Sequence, residues 1–164
     1  MKNIEAVYKG LLRPSDDLIA DIADIDGDII ILGVGGKMGP GLARVAKQAV
    51  DKAGVTKRVI GVARFSEPGL QEQLNDEGIE TINADLLNDD KLKALPEIEN
   101  VLYLAGTKFG TSGNESFTWA MNAYLPGRIA QKFKNSRIVV FSTGNVYPLV
   151  PVVGGGLRGH RQHQ

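Results

Sequence analysis

Three glycines, Gly33, Gly36 and Gly39, stand three residues apart, directly after the apolar run Ile29-Ile30-Ile31-Leu32 and directly before a helical pattern. Each answers a different physical demand. Gly33 lets the chain turn sharply off a strand, Gly36 lets the backbone approach a pyrophosphate, and Gly39 lets the next helix pack closely on the sheet. The N-terminus of that helix offers free N–H groups and a partial positive charge to phosphate oxygens. Lys37 and Met38, between the second and third glycine, lie on the same turn. The context raises this above a bare glycine count, because Leu42, Ala43, Val45, Ala46, Ala49 and Val50 follow at helical spacing. Taken alone, the segment also reads as a glycine-rich strand-to-helix turn that binds nothing.

The elements that must hold such a turn alternate along the chain as strand and helix, which demands a parallel sheet with crossover helices. An amphipathic helix over 15–26 has Ser15 as N-cap and Leu18, Ile19, Ile22 and Ile25 on one face. Strand one spans 28–33, and the helix after the glycines runs to Ala53, stopped by Gly54. Strand two is 58–63, followed by a polar helix near 68–77 that Gly78 closes. Strand three, 80–83, leads into Asp85; strand four is 100–105; a helix over 115–134 precedes strand five at 137–142. The segments 1–27, 28–148 and 149–164 read as a helical extension, one dinucleotide-binding domain and an irregular tail.

Composition narrows the function classes. The 164 residues allow one domain with a sizeable core. Nineteen basic residues balance nineteen acidic ones, so no global charge draws the chain to nucleic acid or a membrane surface. The absence of cysteine removes disulfides, thiolate metal sites and thiol nucleophiles. The opening MKNIEAVYKG has no apolar signal core and no later apolar run is long enough to span a bilayer, so the expected location is cytoplasmic. His160 and His163 lack the further ligands a metal site needs and read as solvated tail residues.

Four motifs in register over residues 28–148 give a family resemblance. They are Gly33-x-x-Gly36-x-x-Gly39, Ala84-Asp85-Leu86 after strand three, Leu104-Ala105-Gly106 ending strand four, and Phe141-Ser142-Thr143-Gly144-Asn145-Val146-Tyr147 after strand five. Together they resemble the extended short-chain dehydrogenases, the NAD-dependent epimerase/dehydratase family. The resemblance implies a Rossmann-type doubly wound parallel sheet in three α/β/α layers, here truncated after strand five. It places Asp85 and Leu86 beside the adenine ring and lays the backbone of Ala105 and Gly106 against the cofactor. Asn122 resembles a helix Asn that the family has near its active site, and Thr143 takes the role of the Ser or Thr that holds the substrate oxygen. Without the other motifs, Asp85 reads equally as a loop carboxylate, and Ser142 and Thr143 as strand-ending residues with local hydrogen bonds.

Cofactor choice turns on the end of strand two, where an acidic residue would bind the ribose hydroxyls of NAD and repel a 2′-phosphate. Here Ala63 is followed by Arg64, a small residue and a bidentate, permanent cation. NADP is therefore the expected cofactor; NAD is the alternative, with Arg64 a solvated charge and Ser66 or Glu67 serving the ribose.

The main departure from the family is chemical. Its acid/base pair is Tyr-x-x-x-Lys, yet four residues after Tyr8, Tyr103, Tyr124 and Tyr147 stand Leu12, Thr107, Arg128 and Pro151. The chain as given is therefore expected to bind a dinucleotide without turnover. A full-length relative would act on a sugar nucleotide or another small carbonyl substrate; a non-catalytic NADP sensor is the competing reading. Members of the family often pair through the helices after strands four and five, so the resemblance also implies a homodimer, although only the former helix is in this sequence; on that helix Trp119, Tyr124 and Leu125 read as core or dimer contacts.

Overall fold

Four consecutive apolar residues, Ile29–Leu32, need cover on both faces, and the fold supplies it. The computed structural model describes Val7, residues 10–107 and residues 112–142. Five strands, β1 (Ile29–Leu32), β2 (Val59–Ala63), β3 (Glu80–Asn83), β4 (Asn100–Tyr103) and β5 (Arg137–Val140), form one sheet in the order β3-β2-β1-β4-β5. Every pairing is parallel, with Ile29 opposite Val59 on one side and Asn100 on the other. This is a Rossmann-type doubly wound sheet, and the strand order reverses between β1 and β4.

Alternation along the strands sends side chains to two separate cores. Ile30, Leu32, Ile60, Val62, Val101 and Tyr103 share one cluster with Leu92, Leu125, Ile129 and Phe133. Ile29, Ile31 and Val59 share the other with Ile22, Ala43, Ala46, Ala49, Leu70 and Leu74. Helices α1 (Asp16–Asp24), α2 (Gly39–Ala53) and α3 (Leu70–Asp76) therefore cover one face. Helices α4 (Asp89–Lys93) and α6 (Leu125–Lys132) cover the other, and α5 (Glu115–Trp119), which buries no residue, leads towards α6.

The local signals explain most of the boundaries. Ser15 caps α1 by accepting the Leu18 N–H at 3.2 Å, and Gly54, at φ +68°, ends α2 in the left-handed conformation. Helix α4 has no counterpart in the sequence reading. Five residues with Leu92 alone buried make no visible period, although Asn88 caps it through the Lys91 N–H at 3.0 Å.

The helix expected over 115–134 is interrupted. Between α5 and α6 the backbone widens into one π-helical turn, Ala120–Tyr124, where the Leu125 N–H reaches back five residues to Ala120 O. Pro126 accounts for it. It has no N–H for the Asn122 carbonyl, and its ring would strike that carbonyl in a regular helix.

At the N-terminal ends of the strands a polar clamp fixes register. Asp28 accepts the Arg58 N–H at 2.8 Å and its Nε at 2.7 Å. Burial works against charge on Asp28, but these bonds and the guanidinium charge hold its carboxyl below the usual value of 3.8. The Asn100 side-chain amide donates to the carbonyls of Asp26 and Asp28, both at 2.9 Å.

Candidate functional site

The opposite, C-terminal end of the sheet carries a cleft of about 250 Å³ beside the β1/β4 reversal. Its walls are the segments that leave the strands: Gly33, Gly35 and Gly36 after β1; Arg64, Phe65, Ser66 and Glu67 after β2; Ala84, Asp85 and Leu86 after β3; and Leu104, Ala105 and Gly106 after β4. In open α/β sheets this is where ligands sit.

The three glycines divide their work visibly. Gly33 adopts φ +93°, and a Cβ there would lie 2.7 Å from Ala105 N. Gly39 is buried, and a Cβ there would lie 2.2 Å from Val34 O, so helix α2 could not approach the sheet with any side chain at that position. Gly36 differs from both. It is exposed, its φ is outside the left-handed region, and the nearest atom to a Cβ would be Gly33 O at an ordinary 3.5 Å. Among the described residues nothing requires a glycine at Gly36.

The turn closes through Gly36 N–H to Gly33 O and Gly39 N–H to Gly36 O, both 3.2 Å. Helix α2 then begins at Met38 with no side-chain cap and with Pro40 in its first turn. Lys37 and Met38 are exposed on this turn, outside the cleft walls.

Arg64 follows β2 on the cleft rim, exposed and without an ion-pair partner among the described residues. The next residue, Phe65, has φ +45°, a left-handed conformation rare for an aromatic side chain. Its half-buried ring packs against the α1–α3 core and anchors the bend that presents Arg64 and Ser66. Across the cleft Asp85 accepts the Leu87 N–H through Oδ1 at 3.0 Å, so one carboxylate oxygen closes a turn. Leu86 is buried yet lines the wall.

Seven of the residues singled out from sequence, Gly33, Gly36, Arg64, Asp85, Leu86, Ala105 and Gly106, meet in this cleft. Asn122 stands behind it. Its side-chain Nδ2 donates to Thr107 O at 2.8 Å and its Oδ1 accepts the Thr107 N–H at 2.9 Å, clamping the strand-four exit. A Cβ on Gly106 would lie 3.3 Å from that Oδ1, so Gly106 also makes room for the clamp. Thr143, with Gly144, Asn145, Val146 and Tyr147, lies outside the described residues. Of the helix residues read as core or dimer contacts, Leu125 is fully buried, whereas Trp119 and Tyr124 are 71% and 61% exposed and are not core.

The sequence reading missed Phe117 and Met121, which line the cleft from across β4. Their i, i+4 spacing was the available signal; Phe117 lies in α5 and Met121 in the π-turn that follows Trp119.

Tyr103 offers no acid/base near neutrality. Burial pushes its phenol from 10.0 up to about 12, and its hydroxyl donates only a long 3.5 Å bond to Met121 O. The unfolded chain releases this proton first, so the contribution to stability is present below pH 10 and is lost as pH rises through 12. Tyr103→Phe is expected to match wild-type urea unfolding at pH 8 and to retain about 1–2 kcal/mol more of its stability at pH 11.5. Parallel loss in both proteins would contradict this.

No protein-family model matches the chain, and no curated protein matches it.

Proposed function

We propose that this chain is the NAD(P)-binding domain of an extended short-chain dehydrogenase of the epimerase/dehydratase type, taking NADP in preference to NAD. The observation that carries the reading is Gly36. Gly33 and Gly39 are demanded by the fold's own contacts, while a Cβ at Gly36, on the cleft wall beside the uncapped start of α2, would make only an ordinary contact. A pyrophosphate is the group whose approach needs a bare backbone there.

The remaining walls suit the nucleotide half of the cofactor. Ala63 leaves space for a 2′-phosphate, Arg64 offers it a guanidinium with no ion-pair partner among the described residues, and the apolar Leu70, Ala84 and Leu86 flank a slot for a base. The cleft lies just below the usual range of about 300–1,000 Å³ for small-molecule pockets, a size for half of the dinucleotide. Asn122 supports the floor by holding Thr107.

The sequence has no Tyr-x-x-x-Lys, so the reading assigns these residues binding and no turnover. The same absence keeps the second reading, a non-catalytic NADP sensor, in play. A longer gene product carrying that pair favours the enzyme; a natural chain without it favours the sensor. For the enzyme, Thr143 would hold the oxygen of a sugar nucleotide or other carbonyl substrate.

Thermal unfolding tests the shared claim. At a free NADPH concentration a hundred times its Kd, binding stabilises the folded state by about 2.7 kcal/mol, a shift of several degrees in Tm. An unchanged Tm in millimolar NADPH and NADH alike would sink the proposal.

A further inference from the structure

The Ala84–Leu86 wall of the cleft is braced from outside the cleft. The Ala84 N–H donates to Ala63 O at 2.9 Å, and the Asn88 N–H donates to Asp85 O at 3.0 Å. With the Leu87 N–H on the Asp85 carboxylate, these bonds close the turn on itself and tie it to β2. They leave the Leu87 carbonyl for another partner. Arg128 of α6 supplies it, donating Nη1–H to Leu87 O at 3.1 Å while Nη2 pairs with the Asp89 carboxylate at the start of α4. The Arg128 side chain is 14% exposed, and its guanidinium carbon lies 5.4 Å from the centre of the Tyr124 ring. One residue, Leu87, is thus held on both sides: its N–H by Asp85, its C=O by Arg128.

The geometry points to Arg128 as a positioning residue of the base-binding wall. By holding the Leu87 carbonyl and Asp89 together, it sets where the Asp85 carboxylate and the Leu86 side chain stand, without lining the cleft itself. The planar fork of arginine can reach both acceptors at once; a lysine ammonium is a single point charge on a flexible stem. The inference rests on the nucleotide reading and adds to it a residue that touches no ligand.

Lys132 provides the control. It lies on the same helix, is 15% exposed at its side chain, donates to Lys93 O at 3.3 Å and pairs with Glu97, so it braces the end of α4 away from the cleft. Arg128→Ala, Arg128→Lys and Lys132→Ala would each be titrated with NADPH and with adenosine 2′,5′-bisphosphate, and amide exchange at Leu87 and Asn88 followed in the free proteins.

Arg128→Ala is expected to weaken both ligands by about tenfold and to speed Leu87 exchange, with Arg128→Lys recovering part of the loss and Lys132→Ala changing neither. Wild-type affinity in Arg128→Ala, or an equal loss in Lys132→Ala, overturns the positioning role. If the wild-type chain binds neither ligand, the nucleotide reading fails, and exchange decides the brace separately: unchanged Leu87 protection in Arg128→Ala overturns it, and faster exchange upholds it.

Discussion

Gly36→Ala is expected to unfold at the wild-type urea midpoint and to lose at least about tenfold in dinucleotide affinity, while Gly39→Ala loses about 3 kcal/mol of stability. The contrast follows from what a single methyl group meets. At Gly36 it makes only an ordinary contact, 3.5 Å from Gly33 O, at a φ outside the left-handed region, so the folded state tolerates it. A phosphate closing on that backbone does not. At Gly39 the methyl would lie 2.2 Å from a backbone carbonyl, Val34 O, and Val34 is itself buried against the space left by Gly61. Neither side can yield as a flexible side chain could, so α2 must move off the sheet. Equal destabilisation by the two substitutions, or undiminished binding in Gly36→Ala, would show that Gly36 is a structural glycine like its neighbour.

Arg64→Ala should reduce NADPH affinity by about 10–100-fold and leave NADH affinity within about twofold, because a charge-assisted, bidentate contact to a phosphate contributes roughly 1.5–3 kcal/mol. The residue is exposed and free of ion-pair partners among the described residues, so its removal disturbs nothing else that the fold uses. Arg64→Lys separates charge from geometry: partial recovery is expected, since an ammonium supplies the charge without the fork. Equal losses for NADPH and NADH would instead assign Arg64 to the pyrophosphate or to no cofactor atom.

Much of this architecture is legible in the chain because its signals are local and mutually consistent. The β1 run, the Gly54 and Gly78 stops and the Ser15 cap each act within a few residues, and β3 falls on 80–83 as read. The strand ends follow, and with them the segments that line the cleft. What escaped depends on long-range or backbone effects. Helix α4 is too short to show a period, and the π-turn arises from Pro126 acting on a carbonyl four residues earlier. The bend at Phe65 gives no warning, since an aromatic residue is an unexpected choice at φ +45°. Asn122 was found by type, but its bidentate clamp on Thr107 joins positions fifteen residues apart. Arg128 carried no motif at all; its partners Leu87 and Asp89 lie about forty residues away in sequence.

Calorimetric titration of the purified chain with NADPH, and separately with NADH, tests the central claim most directly. One saturable site per chain with NADPH bound more tightly, the preference vanishing in Arg64→Ala, is the predicted result. Absence of saturable binding by either dinucleotide, in a protein that unfolds cooperatively, would contradict it.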